Sequence, residues 1–306
     1  MKAVASGLIA AVLLSAGAAS AQEAETPPPP PATAAAPPVS ATTPAAPEWR
    51  PVAADNLLVI DTTKGRVLVE LAPIAAPLHV ERIRLLARRG FYDNLPWHRV
   101  IDWFMAQTGD PLGTGEGQSP FPDLKGEFTF RRGPNDPFTL VASPTGSGLG
   151  FIGALPVETQ PDALMAHTAD GKVHAWGVYC PGVAGMARDE GLDTANSQFF
   201  LMRQAYPSLD KRYTVWGRVV AGLDVVRALT ASETPDGIVA GTPDRMTQVR
   251  IAADIPEADR PVVSVLAPGS ARFEALTVEA RTARGADFSI CDLELPSQVA
   301  VGAPAA

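Results

Sequence analysis

The chain predicts a mainly β fold, a closed antiparallel barrel capped by two helices and carrying a long insertion. Three observations support this. Short runs rich in Val, Ile, Leu, Phe and Trp recur across residues 56–252, separated by Gly, Pro, Asp and Asn. Two segments, near 77–90 and 223–229, read as helices. With 306 residues, 46% of them hydrophobic, the chain can bury one sizeable core and still carry appendages.

Residues 1–21 read as an export signal. Lys2 supplies the positive start, Leu8–Ala18 the short apolar run and Ala19-Ser20-Ala21 the cleavage pattern, so the mature chain is expected to begin at Gln22. The apolar run is too short and alanine-rich for a comfortable span, so no stable membrane insertion is expected after cleavage. A periplasmic location follows. Residues 22–55 form a Pro/Ala-rich linker with five consecutive prolines, Pro27–Pro31, that favours extended polyproline conformations.

The domain spans 56–256. Leu57–Ile60 and Val67–Leu71 flank Thr63-Lys64-Gly65, a hairpin signal. Pro77 sits at a helix start and Gly90 at its stop. Val80, Ile83, Leu86 and Ala87 make one apolar stripe, with Glu81, Arg82, Arg84, Arg88 and Arg89 expected to face mostly solvent. Strands are predicted at Trp97–Ile101, Phe104–Gln107, Gln198–Met202, Val215–Val219 and Gln248–Ala252, with the second helix at Leu223–Leu229. Residues 112–184 are rich in Gly, Pro and polar residues and read as loops with inserted hairpins. Residues 257–306 form an extension, with a strand at Phe273–Ala280 and a disordered end. Cys180 and Cys291 could form one bridge in an oxidising compartment or remain buried free thiols, and the sequence supplies no separation to decide.

A formal net charge of −8 and the lack of long Lys/Arg blocks argue against a nucleic-acid partner. His79, His98, His167 and His174 have no close ligand spacing, so no metal is expected.

Two runs bear chemistry. Residues 97–111 read Trp-His-Arg-Val-Ile-Asp-Trp-Phe-Met-Ala-Gln-Thr-Gly-Asp-Pro, and 185–201 read Gly-Met-Ala-Arg-Asp-Glu-Gly-Leu-Asp-Thr-Ala-Asn-Ser-Gln-Phe-Phe-Leu. A third, 209–217, reads Leu-Asp-Lys-Arg-Tyr-Thr-Val-Trp-Gly. Met105 and Gln107 share a strand face by period two, as do Gln198 and Phe200, whereas Phe104 in a regular strand would point away unless a bulge re-aimed it. Together these segments resemble the signatures of the cyclophilins, β-barrel peptidyl-prolyl cis-trans isomerases, over about residues 56–252. Segment 112–184 aligns poorly.

The resemblance implies catalysed rotation about X–Pro amides. Resonance opposes that rotation with a barrier of about 18–20 kcal/mol. In the twisted state the nitrogen is pyramidal and accepts a hydrogen bond. A fixed donor beside an apolar proline pocket therefore favours that state. No nucleophile, cofactor or ATP is called for. The resemblance makes Arg99 the catalytic donor, Gln107 its brace, Phe200 the pocket floor and Leu209 an apolar wall. Phe104 and Met105 line the pocket, His98 its rim. Gln198 bonds substrate backbone, and Ala187 and Arg188 contact the residue before the proline. Tyr213 stands where eukaryotic members often carry histidine, like bacterial exported members. Ser208 replaces a common aromatic, which weakens the cyclosporin-binding wall. Gly113-Thr-Gly-Glu-Gly117 superficially resembles a phosphate loop but lacks the lysine and helix, and reads as a glycine-rich rim loop. A Ser197–His98 nucleophile pair is a weak competing reading. The expected partners are unfolded or flexible proline-containing polypeptides, met by a monomer. The alternative function is a catalytically weak cyclophilin-like binding module or chaperone.

Overall fold

The computed structural model describes residues 47–301. The predicted signal, most of the predicted linker and residues 302–306 lie outside the described residues.

In chain order come β1 (Trp49–Pro51), β2 (Leu57–Thr62), β3 (Gly65–Leu71), α1 (Pro77–Arg88), β4 (Arg99–Val100) and β5 (Met105–Thr108). The insertion supplies β6 (Phe130–Arg132), β7 (Phe138–Ala142), β8 (Gly148–Ile152), β9 (Leu155–Thr159) and β10 (Val173–Gly177). Next are β11 (Val183–Met186), β12 (Phe199–Met202), β13 (Val215–Ala221), α2 (Leu223–Ala228) and β14 (Met246–Ile251). The C-terminal part is β15 (Pro261–Leu266), α3 (Ala271–Arg284) and β16 (Ser297–Val301).

Eight strands form one curled antiparallel sheet in the order β14-β2-β3-β13-β11-β12-β5-β4. The fold is mainly β, but the expected closure of the barrel is corrected. Between β14 and β4 there is no ladder, only an isolated Pro96–Arg245 bridge and the bonds Trp97 N to Asp244 O, 2.8 Å, and Met246 N to Leu95 O, 2.9 Å. The reason is local. The free edge of β4 is already taken by residues 237–239, with Val100 N donating to Gly237 O at 2.7 Å and Val239 N to His98 O at 3.0 Å.

Helix α1 begins at Pro77, where a missing N–H costs nothing, and Glu127 accepts from the free Leu78 and His79 amides at 3.2 and 3.1 Å. It stops before Gly90, whose φ of +65° lies in the left-handed region. The predicted stripe is buried against the sheet. Arg82 departs from expectation. It is buried, because its guanidinium reaches the Pro122 and Asn196 carbonyls at 2.7 and 3.2 Å.

The insertion is more regular than loops with hairpins. It forms a five-stranded antiparallel sheet, β6-β10-β9-β8-β7. The C-terminal extension is folded through Val301. Its strand β15 pairs on one side with β16 and on the other with β1, which falls inside the stretch expected to be linker. The strand predicted at Phe273–Ala280 is helical instead. Ser270 caps it by accepting from Phe273 N at 3.2 Å, and Phe273, Leu276, Thr277 and Ala280 follow helical spacing. Phe273 meets Phe151 edge-on at 5.8 Å, which seats α3 on the inserted sheet. A Cys180–Cys291 disulfide, Cα–Cα 4.9 Å, ties this extension to the turn before β11.

Candidate active site

Pleating sorts the half-barrel into two faces. Val100, Ala106, Leu201 and Ala184 face the core under α1. Their neighbours face the other way. The register pairs Arg99 with Gln107, Gln107 with Phe200, and Phe200 with Gly185, so these four residues form one row across β4, β5, β12 and β11. Met105 and Met202 are paired one repeat further along.

Hydrogen bonds lock the polar end of that row. Arg99 Nη1 donates to Gln107 Oε1 at 3.3 Å, and Arg99 Nε to Asp236 O at 2.7 Å. Gln107 Nε2 donates to Gln198 Oε1 at 3.0 Å. Gln198 Nε2 in turn donates to the Gly115 and Gly117 carbonyls at 2.7 and 2.9 Å. The rim loop is organised by Asp110, whose carboxylate accepts from the amides of Leu112, Thr114 and Gly115 at 2.6, 2.8 and 2.5 Å. Burial pushes the Asp110 pKa up, but these amides outweigh it and hold it below the ordinary range. The amides of Gly113, Thr114 and Gly115 are committed to Asp110 and that of Glu116 to Thr114 Oγ1, so the phosphate-loop lookalike has few donors to offer an anion. Burial also lowers the Arg99 pKa from its ordinary value, with the charges of Asp236 and Tyr213 opposing.

The apolar end is a cup. Phe200, Met105 and Leu209 are buried in one cluster, with Phe104, Ala187, Tyr206 and Tyr213 packed at its margin. Tyr213 stands edge-on to Phe200 at 6.0 Å, and Arg188 lies over the Tyr213 ring at 4.4 Å. The Arg188 guanidinium is committed to the carbonyls of Arg212 and Asp189, so it braces Tyr213. Phe104 reaches the cup without a bulge. It precedes β5, in a turn where its N–H bonds Ile101 O at 3.0 Å.

His98 lies beside Gln198 and Asp110 but is closed off from solvent. It is only 5% exposed, and burial lowers its pKa despite the nearby Asp110 charge. Ser197 is no nucleophile, since its hydroxyl is buried and donates to Gly109 O at 2.9 Å. Between rim loop and cup lies a polar cavity of about 190 Å³ lined by Gln107, Gly115, Ala187, Arg188 and Gln198, among others. A larger cavity of about 560 Å³, beside Arg50, Glu70 and Phe138, holds none of the predicted site residues.

Several positions escaped the sequence reading. A Cβ on Gly185 would lie 2.5 Å from Phe200 Cζ and 2.6 Å from Tyr179 Oη, so only glycine leaves room for the floor ring and the Tyr179 ring stacked behind it. Gly237, φ +82°, turns the loop that presents Asp236 O to Arg99. Its signal was the Pro235-Asp236-Gly237 turn sequence.

Asp210, next to the wall residue Leu209, accepts from Tyr179 N at 2.9 Å. Its pKa is raised to about 6, chiefly by burial; Glu158 adds to the rise, and the Tyr179 amide and Lys211 oppose it. The folded state therefore binds more protons than the unfolded one between pH ~4 and ~6. Stability from this group falls as pH rises through that window and is flat above it. Asp210→Asn keeps an oxygen for the Tyr179 amide. It should raise unfolding free energy by about 1–3 kcal/mol near neutral pH, the gain shrinking toward zero below pH ~4. Urea melts across pH test this, and a variant no more stable than wild type at neutral pH would refute it.

The comparisons with known proteins agree with this geometry. The family described as cyclophilin type peptidyl-prolyl cis-trans isomerase/CLD matches residues 57–253. A protein of Brucella suis named a probable peptidyl-prolyl cis-trans isomerase is 32% identical over 212 residues, covering 65% of this chain and 84% of that protein. A peptidyl-prolyl cis-trans isomerase-like 1 of Gibberella zeae is 30% identical over 177 residues, 58% of this chain and 83% of that protein. The crystal structure of the cyclophilin AquaCyp293 from Hirschia baltica aligns with a TM-score of 0.74 at 36% identity, covering 84% of this chain and 95% of that one. With the family match spanning the half-barrel and both signature strands, the chain belongs to the cyclophilin-type peptidyl-prolyl cis-trans isomerases.

Proposed function

We propose that this isomerase speeds X–Pro rotation during folding of exported proteins in the periplasm, with Arg99 as the donor to the twisted prolyl nitrogen. One observation supports the mechanism above all: Arg99, Gln107 and Phe200 occupy one ladder row, so the guanidinium and the pocket floor share a face. A proline ring seated on Phe200 and walled by Leu209, Phe104 and Tyr213 would bring its nitrogen beside Arg99. Gln107 holds one arm of the guanidinium and Asp236 O holds Nε, so little reorganisation is needed when the nitrogen becomes a lone-pair acceptor. Gln198 Oε1 and the rim-loop carbonyls each keep a lone pair that can accept a peptide N–H on the side before the proline.

Export rests on the sequence of residues 1–21 and is consistent with the disulfide. A flexible polypeptide reaching the groove is the expected substrate, and a monomer suffices because every residue of the row comes from one chain.

The test uses the full mature chain and a prolyl tetrapeptide. The cis-to-trans relaxation rate should rise linearly with enzyme, and the chain recovered from the envelope fraction should begin at Gln22. An unchanged relaxation rate would leave the binding-module reading in place. Recovery with an intact N-terminus in the cytosol would remove the export reading.

A further inference from the structure

Trp103 has no counterpart in the structural role of the other tryptophans. Trp97 and Trp216 are fully buried core residues, Trp49 and Trp176 are half-buried with Arg272 and Lys211 over their rings, and Trp103 is 63% exposed. A large exposed indole is held there by design of its surroundings. Its turn is closed by Ile101 N to Met105 O at 2.9 Å and Phe104 N to Ile101 O at 3.0 Å. The preceding residue, Asp102, accepts from Arg203 Nη2 at 2.6 Å. Arg203 is itself buried, with its Nη1 anchored on Leu229 O at 3.1 Å and its amide on Phe104 O at 2.9 Å.

The indole is not isolated either. It lies nearly parallel to Phe104, with centroids 6.1 Å apart at 24°, and Phe104 meets Tyr206 at 4.5 Å. Phe104 and Tyr206 both border the cup. An aromatic track thus runs outward from the proline pocket along the β4–β5 hairpin, away from the row of Arg99, Gln107 and Phe200.

Direction along the hairpin assigns the track a role. The X–Pro nitrogen must lie at the Arg99 end, so the residue before the proline lies on the polar side with Gln198. The chain after the ring leaves across Phe104. Trp103 precedes Phe104 in the turn before β5, so its indole lies beyond the Phe104 edge of the cup. We propose that Trp103 and Phe104 form a specificity platform for a bulky apolar or aromatic side chain on one of the two residues following the proline. This rests on the isomerase reading of the same site. Stacking on a pre-oriented indole adds apolar burial and aromatic contact without ordering a new loop.

The experiment measures kcat/KM of the full chain for paired prolyl peptides that differ only in phenylalanine or alanine after the proline. Wild type should prefer phenylalanine by about 5–10-fold, the size expected of one aromatic contact. Trp103→Ala should bring that ratio to near one, and Trp103→Phe should keep most of it. A wild-type ratio near one, or a ratio that survives Trp103→Ala, would overturn the platform. Failure of wild type to accelerate either peptide would instead overturn the isomerase reading. In that case the platform is judged by binding alone: the phenylalanine peptide should shift indole emission in wild type and not in Trp103→Phe, and no shift in wild type would overturn it.

Discussion

Arg99→Ala should lower kcat/KM for a prolyl peptide by about 10²–10³-fold, the effect of deleting one aimed donor to a transition state. The folded chain should survive. Arg99 stands on the two-residue strand β4 and makes two hydrogen bonds, to Gln107 and Asp236 O. Losing them should cost about 1–2 kcal/mol, a few degrees of melting temperature in a chain of this size. Among the described residues no partner takes Nη2, which leaves that donor for substrate. Arg99→Lys tests the reasoning more sharply, because it keeps the charge but not the braced fork. It should recover less than about a tenth of the lost activity. Because the donor bonds the prolyl nitrogen only in the twisted state, KM should change little while kcat falls. Wild-type rates in Arg99→Ala would remove the arginine from the mechanism.

The readable part of this molecule was the part governed by short-range periodicity. Alternation in β5 and β12 put Met105 with Gln107 and Gln198 near Phe200, and the Pro77–Gly90 punctuation framed α1 to within two residues. Features that depend on what lies across the fold were not readable. Arg82 has the charge of a surface residue, yet its guanidinium finds two carbonyls from distant loops, which makes burial tolerable. His98 precedes β4 and is buried beside Asp110 and Gln198, neighbours across the fold that the strand pattern does not report. Phe104 was placed one residue inside a strand that starts at Met105. The turn it occupies, not a bulge, aims it at the cup. Barrel closure failed for a similar reason, since residues 237–239 compete for the edge of β4 and nothing in the strand pattern reports that competition. In the extension, the apolar spacing at 273, 276, 277 and 280 carried the helix, and Ser270 marked its start.

Removing the Cys180–Cys291 bridge should be strongly destabilising, since Cys180 is buried in the core and Cys291 packs against it. The two residues are 111 apart in sequence, and in the chain-entropy account a loop that long contributes about 4–5 kcal/mol, while measured bridges typically contribute about 2–4. The extension has packing of its own, through Phe273 on Phe151 and through β15 between β1 and β16, so the lower range is the expectation here. Cys291→Ser should therefore lower the melting temperature by about 5–12 °C. The effect should extend to the site. Cys180 directly follows Tyr179, whose ring stacks on Phe200 at 5.8 Å and whose carbonyl accepts from Tyr206 N at 2.8 Å. Loosening that turn loosens both the backing of the proline floor and the start of the aromatic track, so KM should rise more than kcat falls. Dithiothreitol added to wild type should reproduce both changes and leave a Cys180→Ala/Cys291→Ala variant unmoved. If the variant melts with wild type, docking of α3 and the β1–β15–β16 sheet holds the extension without the bridge. If it melts early but binds peptide normally, the link from Cys180 through Tyr179 to Phe200 carries no energy.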